Sequence, residues 1–96
     1  MARADWLVYM LECADGTLYT GITNDLERRI RQHNAGTASR YTRSRLPVEL
    51  VYSQEFPSAH QAFLRERQVK GWSRANKQAL IQVDLDQLVE LSNAGS

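Results

Sequence analysis

Apolar residues run unbroken from Trp6 to Leu11, with Glu12 behind them. Aromatic and β-branched members of the run predict a strand over Trp6–Glu12. Thr17 to Thr23 reads as a second strand. Between them, Ala14-Asp15-Gly16 is a turn signal. A two-residue loop would pair Ala14 with Thr17. A three-residue loop, with Gly16 in the left-handed position of a bulge, would pair Cys13 with Thr17. The three-residue register is the one expected. It sets Tyr9 opposite Gly21 and Leu11 opposite Tyr19, so the two tyrosines share one face of the hairpin.

Asn24 to Asn34 predicts a helix. Asn24 at the N-cap and Glu27 three residues on form a capping-box-like pair, Leu26 and Ile30 make the inner stripe, and Gly36 ends it. Gly36 to Pro47 reads as a polar loop, and Val48 to Phe56 as a third strand closed by Pro57. Ser58 with Gln61 opens a helix to about Lys70, its stripe holding Ala62, Phe63, Glu66 and Val69. Ser73–Ile81 and Asp84–Leu91 read as two further short helices, the last capped by Asp84 and Gln87. The order ββα-β-ααα predicts a small α/β (α+β) domain, with a three-stranded mixed or antiparallel sheet flanked by helices. It is expected to span residues 1–91, with 92–96 as a frayed tail.

Composition narrows this further. The 96 residues are 43% hydrophobic, enough for one core. Cys13 is the only cysteine, which excludes a disulfide framework and a cysteine-based zinc site and fits a reducing cytoplasm. No apolar run approaches the ~20 residues of a membrane span, and Met1 to Asp5 lacks the apolar stretch of a signal peptide. A cytoplasmic location with no membrane contact is the expectation.

The formal net charge of +1 conceals an asymmetry. Residues 1–27 carry Arg3 against Asp5, Glu12, Asp15, Asp25 and Glu27, a balance of −4. Residues 28–77 hold the other eleven bases against Glu49, Glu55 and Glu66, giving +8. Residues 78–96 add Asp84, Asp86 and Glu90, giving −3. Ten of the twelve bases are arginine, the side chain that binds phosphate bidentately. Base composition of a gene raises arginine content without clustering it.

Four constellations bear on chemistry. Glu66 lies on an apolar helical stripe, where a carboxylate is answered by an arginine partner, by rotation of the helix that exposes it, or by a metal. Arg29 and His33, four apart, are either two solvated side chains or a phosphate clamp beside a titratable imidazole. Tyr9 and Tyr19 are sheet residues or members of a site. Gly21 beside them marks close approach by a ligand or another chain segment. Arg40-Tyr41-Thr42-Arg43-Ser44-Arg45 interleaves bases with an aromatic on a loop, which suits a phosphate backbone as well as a solvated loop. There is no phosphate-binding glycine loop. His33 and His60 lack the spacing of a zinc protease, and nothing suggests a hydrolase triad.

Together these residues resemble the GIY-YIG nuclease superfamily, in particular its small stand-alone bacterial members. The first signature triplet appears as Leu7-Val8-Tyr9, keeping only its tyrosine. The second appears as Tyr19-Thr20-Gly21, ten residues from tyrosine to tyrosine. Arg29 lies ten residues further on and His33 four beyond it, at the family's arginine and His/Tyr positions. Glu66 matches the glutamate on a later helix. The run Leu18 to Arg29 is the most specific part, and the likeness covers about residues 5–82.

The resemblance implies hydrolysis of phosphodiester bonds in nucleic acid, DNA before RNA, in repair or recombination. It implies one divalent metal, Mg²⁺ or another such as Mn²⁺, held by Glu66. Tyr9, Tyr19, Arg29 and His33 would be the catalytic set, with either Tyr9 or His33 as the base. A nearby Arg29 and metal would lower the Tyr9 pKa. Gly21, Arg28, Arg40, Tyr41, Arg43, Arg45 and Lys70 would line the nucleic-acid contact. With no added DNA-binding domain in this stretch, a protein partner supplying targeting is expected. The competing expectation is a nucleic-acid-binding module of the same fold that does not cut.

Overall fold

The computed structural model describes residues 6–94, with side chains described as far as residue 85. Strands β1 (Trp6–Glu12) and β2 (Leu18–Thr23) form the expected hairpin. Gly16, at φ +83°, occupies the left-handed backbone region that residues with a β-carbon rarely adopt. The loop is the three-residue one: Cys13 N–H donates to the Thr17 carbonyl at 2.8 Å, and Tyr9 pairs with Gly21 and Leu11 with Tyr19. Strand β3 (Glu49–Phe56) pairs on the other side of β1, so the sheet order is β2-β1-β3 and every pairing is antiparallel.

A β-bulge interrupts the β1–β3 ladder. Met10 pairs with Tyr52 and Leu11 with Leu50, which leaves Val51 as the extra residue. The bulge lets neighbouring Val51 and Tyr52 serve the same core. The central strand β1 feeds both layers. Tyr9, Leu11 and Cys13 pack with Val48, Leu26, Ile30 and Leu46 on one face. Met10 packs with Tyr52, Val69, Trp72, Leu80 and Ile81 on the other. This matches the period-two alternation of a strand covered on both sides.

Helix α1 (Leu26–Asn34) follows β2. Its N-cap is Asp25, where Asn24 was expected. Asp25 Oδ1 accepts the Arg28 N–H at 3.2 Å, and Thr23 Oγ1 holds Asp25 in place by accepting its N–H at 3.0 Å. That shift by one residue moves Glu27 off the capping-box position. Gly36, at φ +79°, stops the helix as expected.

The polar loop contains a one-turn helix, α2 (Arg40–Arg43), opened by Ser39, whose hydroxyl accepts the Tyr41 N–H at 3.1 Å. Helix α3 (Ala59–Lys70) begins at Ser58, whose Oγ accepts the Gln61 N–H at 3.2 Å. Ala62 and Val69 are buried, but Phe63 is 43% exposed, rotated off the stripe it was expected to share.

The two expected short C-terminal helices are one, α4 (Arg74–Ala94). Asp84 therefore lies inside a helix and caps nothing. No Gly or Pro lies between Arg74 and Ala94 to stop the helix, and one interior Asp costs only about 0.7 kcal/mol. The helix also continues through Ser92–Ala94, where a frayed tail was expected. The side chains of Gln87 and its neighbours lie outside the described residues. Among the described residues, no helix is long and apolar enough to cross a membrane.

Candidate active site

One face of the hairpin, α1 and α2 enclose a cluster of rings. Tyr9 enters from the middle of β1 and is 2% exposed. Tyr19 enters from β2, with ring centroids 6.4 Å from Tyr9 and 5.0 Å from His33. His33 enters from the last turn of α1 and is 1% exposed. The Tyr9 hydroxyl and His33 Nε2 lie 2.9 Å apart, a buried hydrogen bond across 24 residues of sequence. The other ring nitrogen, Nδ1, meets Thr42 Oγ1 at 2.8 Å. Thr42 is fully buried on the inner side of α2, and its hydroxyl donates to the Ser39 carbonyl at 3.4 Å.

Both titratable groups are held neutral. Burial pushes the Tyr9 hydroxyl far above the usual tyrosine range, the Tyr19 hydroxyl adds to this, and Arg29 opposes it without prevailing. The expected lowering of Tyr9 by Arg29 is thus present but outweighed by desolvation. Burial also pulls His33 below the ordinary histidine value, and the Arg29 charge adds to that. A neutral phenol hydrogen-bonded to a neutral imidazole can pass a proton along that bond.

Arg29 is half-buried, and its charge reaches both Tyr9 and His33. Arg28 and Arg29 line one polar hollow of about 270 Å³, with Thr23, Asn24, Asp25 and Gln32. Its size and donors suit a phosphate group. Glu66 lies on α3 with its side chain 13% exposed, and Lys70 one turn on approaches it at 3.6 Å. The partner that answers a covered carboxylate is thus a lysine on its own helix, where an arginine was the expected partner. Glu66 is near enough for its charge to raise Tyr9. Among the described residues no three acidic, histidine or cysteine side chains gather into a metal cage. One mostly covered carboxylate is a donor that suits Mg²⁺, which is commonly held by one or two carboxylates together with substrate oxygens and water.

The residues expected at the nucleic-acid contact separate into two groups. Arg28, Arg40 and Arg43 are exposed. Tyr41 stacks on Tyr19 at 6.1 Å, and the Arg45 guanidinium lies over its ring at 4.0 Å, leaving it 39% exposed. Arg45 also bonds Asp15 at 3.0 Å and the Tyr41 carbonyl at 2.9 Å, so its donors bind α2 to the hairpin turn. Gly21 is buried, and the segment that approaches it is the Tyr9 phenol. Lys70 is occupied by Glu66. Thr42 was missed in sequence because it has neither charge nor ring. Its only trace there is Ser39 three residues earlier, a helix-cap signal.

Residues 5–79 match the GIY-YIG catalytic domain. The chain belongs to the GIY-YIG family. Its relatives include a UPF0213 protein of Natronomonas pharaonis, 51% identical over 81% of this chain and 92% of that one. Another, from Bacillus pumilus, is 43% identical over 85% of this chain and 84% of its own length. Archaeal relatives thus stand beside the bacterial ones expected. Among solved structures, a UPF0213 protein of Bacillus halodurans shares 45% identity over 81% of this chain and 83% of its own, at a TM-score of 0.54. A protein of E. faecalis shares 31% identity over 86% and 88%, at 0.56. The GIY-YIG domain is a nuclease domain, and nucleases that carry it generally depend on a divalent metal.

Proposed function

We propose that this protein is a metal-dependent endonuclease that hydrolyses phosphodiester bonds in nucleic acid, with DNA as the first substrate to test. The observation that carries the reading is the 2.9 Å hydrogen bond between Tyr9 and His33, beside Arg29 and within the field of Glu66. Glu66 would hold Mg²⁺ or Mn²⁺, which when bound polarises the scissile phosphate and stabilises the leaving oxygen. Arg29, on the rim of the polar hollow, neutralises charge that develops on the phosphoryl oxygens. His33 Nε2 accepts the Tyr9 proton as Tyr9 takes one from the attacking water. Tyr19 keeps bulk water from the pair. Arg28, Arg40 and Arg43 bind the flanking phosphates.

The polar character of the hollow and the basic middle of the sequence support a nucleic-acid partner. A protein that supplies targeting is part of the proposal, as is a cytoplasmic location. One observation favours the alternative of a binding module without cutting: Lys70 already pairs with the carboxylate that would hold the metal. Plasmid nicking with Mg²⁺ separates the two. Cleavage abolished by EDTA and by Glu66→Ala supports the nuclease. Binding without cleavage across metals and substrates supports the module.

A further inference from the structure

Thr42 is the third member of the buried chain and lies outside the set that performs the chemistry above. We propose that Thr42 is a positioning residue, whose hydroxyl accepts from His33 Nδ1 and so keeps Nε2 bare to take the Tyr9 proton. This role in proton transfer rests on the nuclease reading. The assignment of the proton to Nδ1 does not.

The partners available to each ring nitrogen favour the proton on Nδ1. Suppose His33 carries its proton on Nδ1. Then Tyr9 donates to Nε2, Nδ1 donates to Thr42, and Thr42 donates to the Ser39 carbonyl. Each hydroxyl gives its one proton to an acceptor within reach. Suppose the proton is on Nε2. Then Thr42 turns its hydroxyl toward Nδ1 and leaves Ser39, and Tyr9 becomes an acceptor. Among the described residues the Tyr9 hydroxyl has no second hydrogen-bond partner to receive its own proton. The first arrangement makes three hydrogen bonds within the protein and the second only two.

The first arrangement also suits turnover. When Nε2 takes the Tyr9 proton as Tyr9 takes one from the attacking water, the phenol ends neutral and the imidazole becomes an imidazolium. Nδ1 remains a donor to Thr42 throughout, so nothing on that side needs to reorient. The hydroxyl is placed by α2, and α2 is held to the hairpin by Arg45 and by the stacking of Tyr41 on Tyr19.

The test is the ¹⁵N spectrum of the histidine ring in the labelled protein at slightly alkaline pH, where long-range correlations distinguish a protonated from a bare ring nitrogen. In the wild-type chain His33 should carry its proton on Nδ1, with Nε2 bare. Thr42→Ser should keep that pattern. Thr42→Val, nearly equal in shape, should move the proton wholly or partly to Nε2 and lower kcat at least tenfold with KM unchanged, and Thr42→Ser should restore kcat. A wild-type His33 protonated on Nε2 overturns the proposal, and needs no variant that folds. So does a folded Thr42→Val that keeps both the tautomer and kcat, or that loses stability alone. If the wild-type chain has the Nδ1 proton but cuts no nucleic acid, the nuclease reading fails and the assignment of Thr42 to the tautomer stands.

Discussion

The Tyr9 hydroxyl lies against the α-carbon of Gly21, so closely that a β-carbon there would stand 2.6 Å from the oxygen. The glycine of the second signature triplet therefore makes room for the tyrosine of the first. Gly21→Ala should displace the phenol or spread the strands, at a cost of about 1–3 kcal/mol of stability. Cleavage should fall more steeply than thermal stability, because the bond to His33 is broken first. An alanine variant with full nicking activity would sink this account of the glycine.

Tyr9→Phe keeps the ring and its packing but removes the hydroxyl. His33 Nε2 then lacks its partner, and stability should fall by about 1–3 kcal/mol. Turnover should drop by about 100-fold or more, with nucleic-acid binding preserved. Single-turnover cleavage and a filter-binding titration measure the two separately.

His33 gives stability a defined pH dependence. Burial, with Arg29 adding to it, holds His33 below the ordinary value of about 6.5. The unfolded chain therefore takes up a proton that the native state refuses as the pH falls through that value. The contribution is complete above about pH 6.5 and is lost as the pH falls below it toward the depressed native value. Urea unfolding followed across that range should show the loss, and His33→Asn should flatten the slope.

Lys70 competes for the Glu66 carboxylate. Lys70→Gln should lower the Mg²⁺ concentration that gives half-maximal cleavage, by no more than about fivefold, since a long i,i+4 pair whose lysine is half-exposed contributes about 0–1 kcal/mol. Glu66→Gln should abolish metal-dependent cleavage at every concentration. A Mg²⁺ titration of both variants checks this.

The arginines of the loop divide by role. Removing Arg40 or Arg43 should leave the melting temperature unchanged and reduce the slope of log affinity against log salt by about 1 for each phosphate no longer neutralised. Arg45→Ala should instead lower the melting temperature, because Arg45 ties α2 to Asp15 and covers Tyr41. Thermal melts and a salt series on the three variants distinguish the roles.

The hairpin register was readable in advance because a Gly at the left-handed position and alternating side chains leave few consistent pairings. That register brought Tyr9, Tyr19 and Gly21 together, and helical spacing added Arg29 and His33. Other features depend on tertiary contact and carry no local signal. The bulge at Val51 exists because two neighbouring side chains serve one core. Thr42 is read as part of a basic loop until α2 turns it inward. Asn24 and Asp25 are both good caps, and the hydroxyl of Thr23 decides between them. Asp84 is a capping residue by type, yet the helix runs through it because nothing adjacent stops it.

Asp15 and Gly16 form the tip of an exposed hairpin, a place where a peptide tag is ordinarily grafted with little harm. Here the tip is gripped from both layers of the molecule. Arg45 reaches it from the segment over the tyrosines, and Arg74 donates to the Gly16 carbonyl from the start of α4. Hydrogen bonds from Thr17 hold the Asp15 carboxyl below the usual range and keep it charged for Arg45. An epitope inserted there would loosen both grips at once. The tip joins the two layers, so an insertion there costs more than its exposure alone suggests.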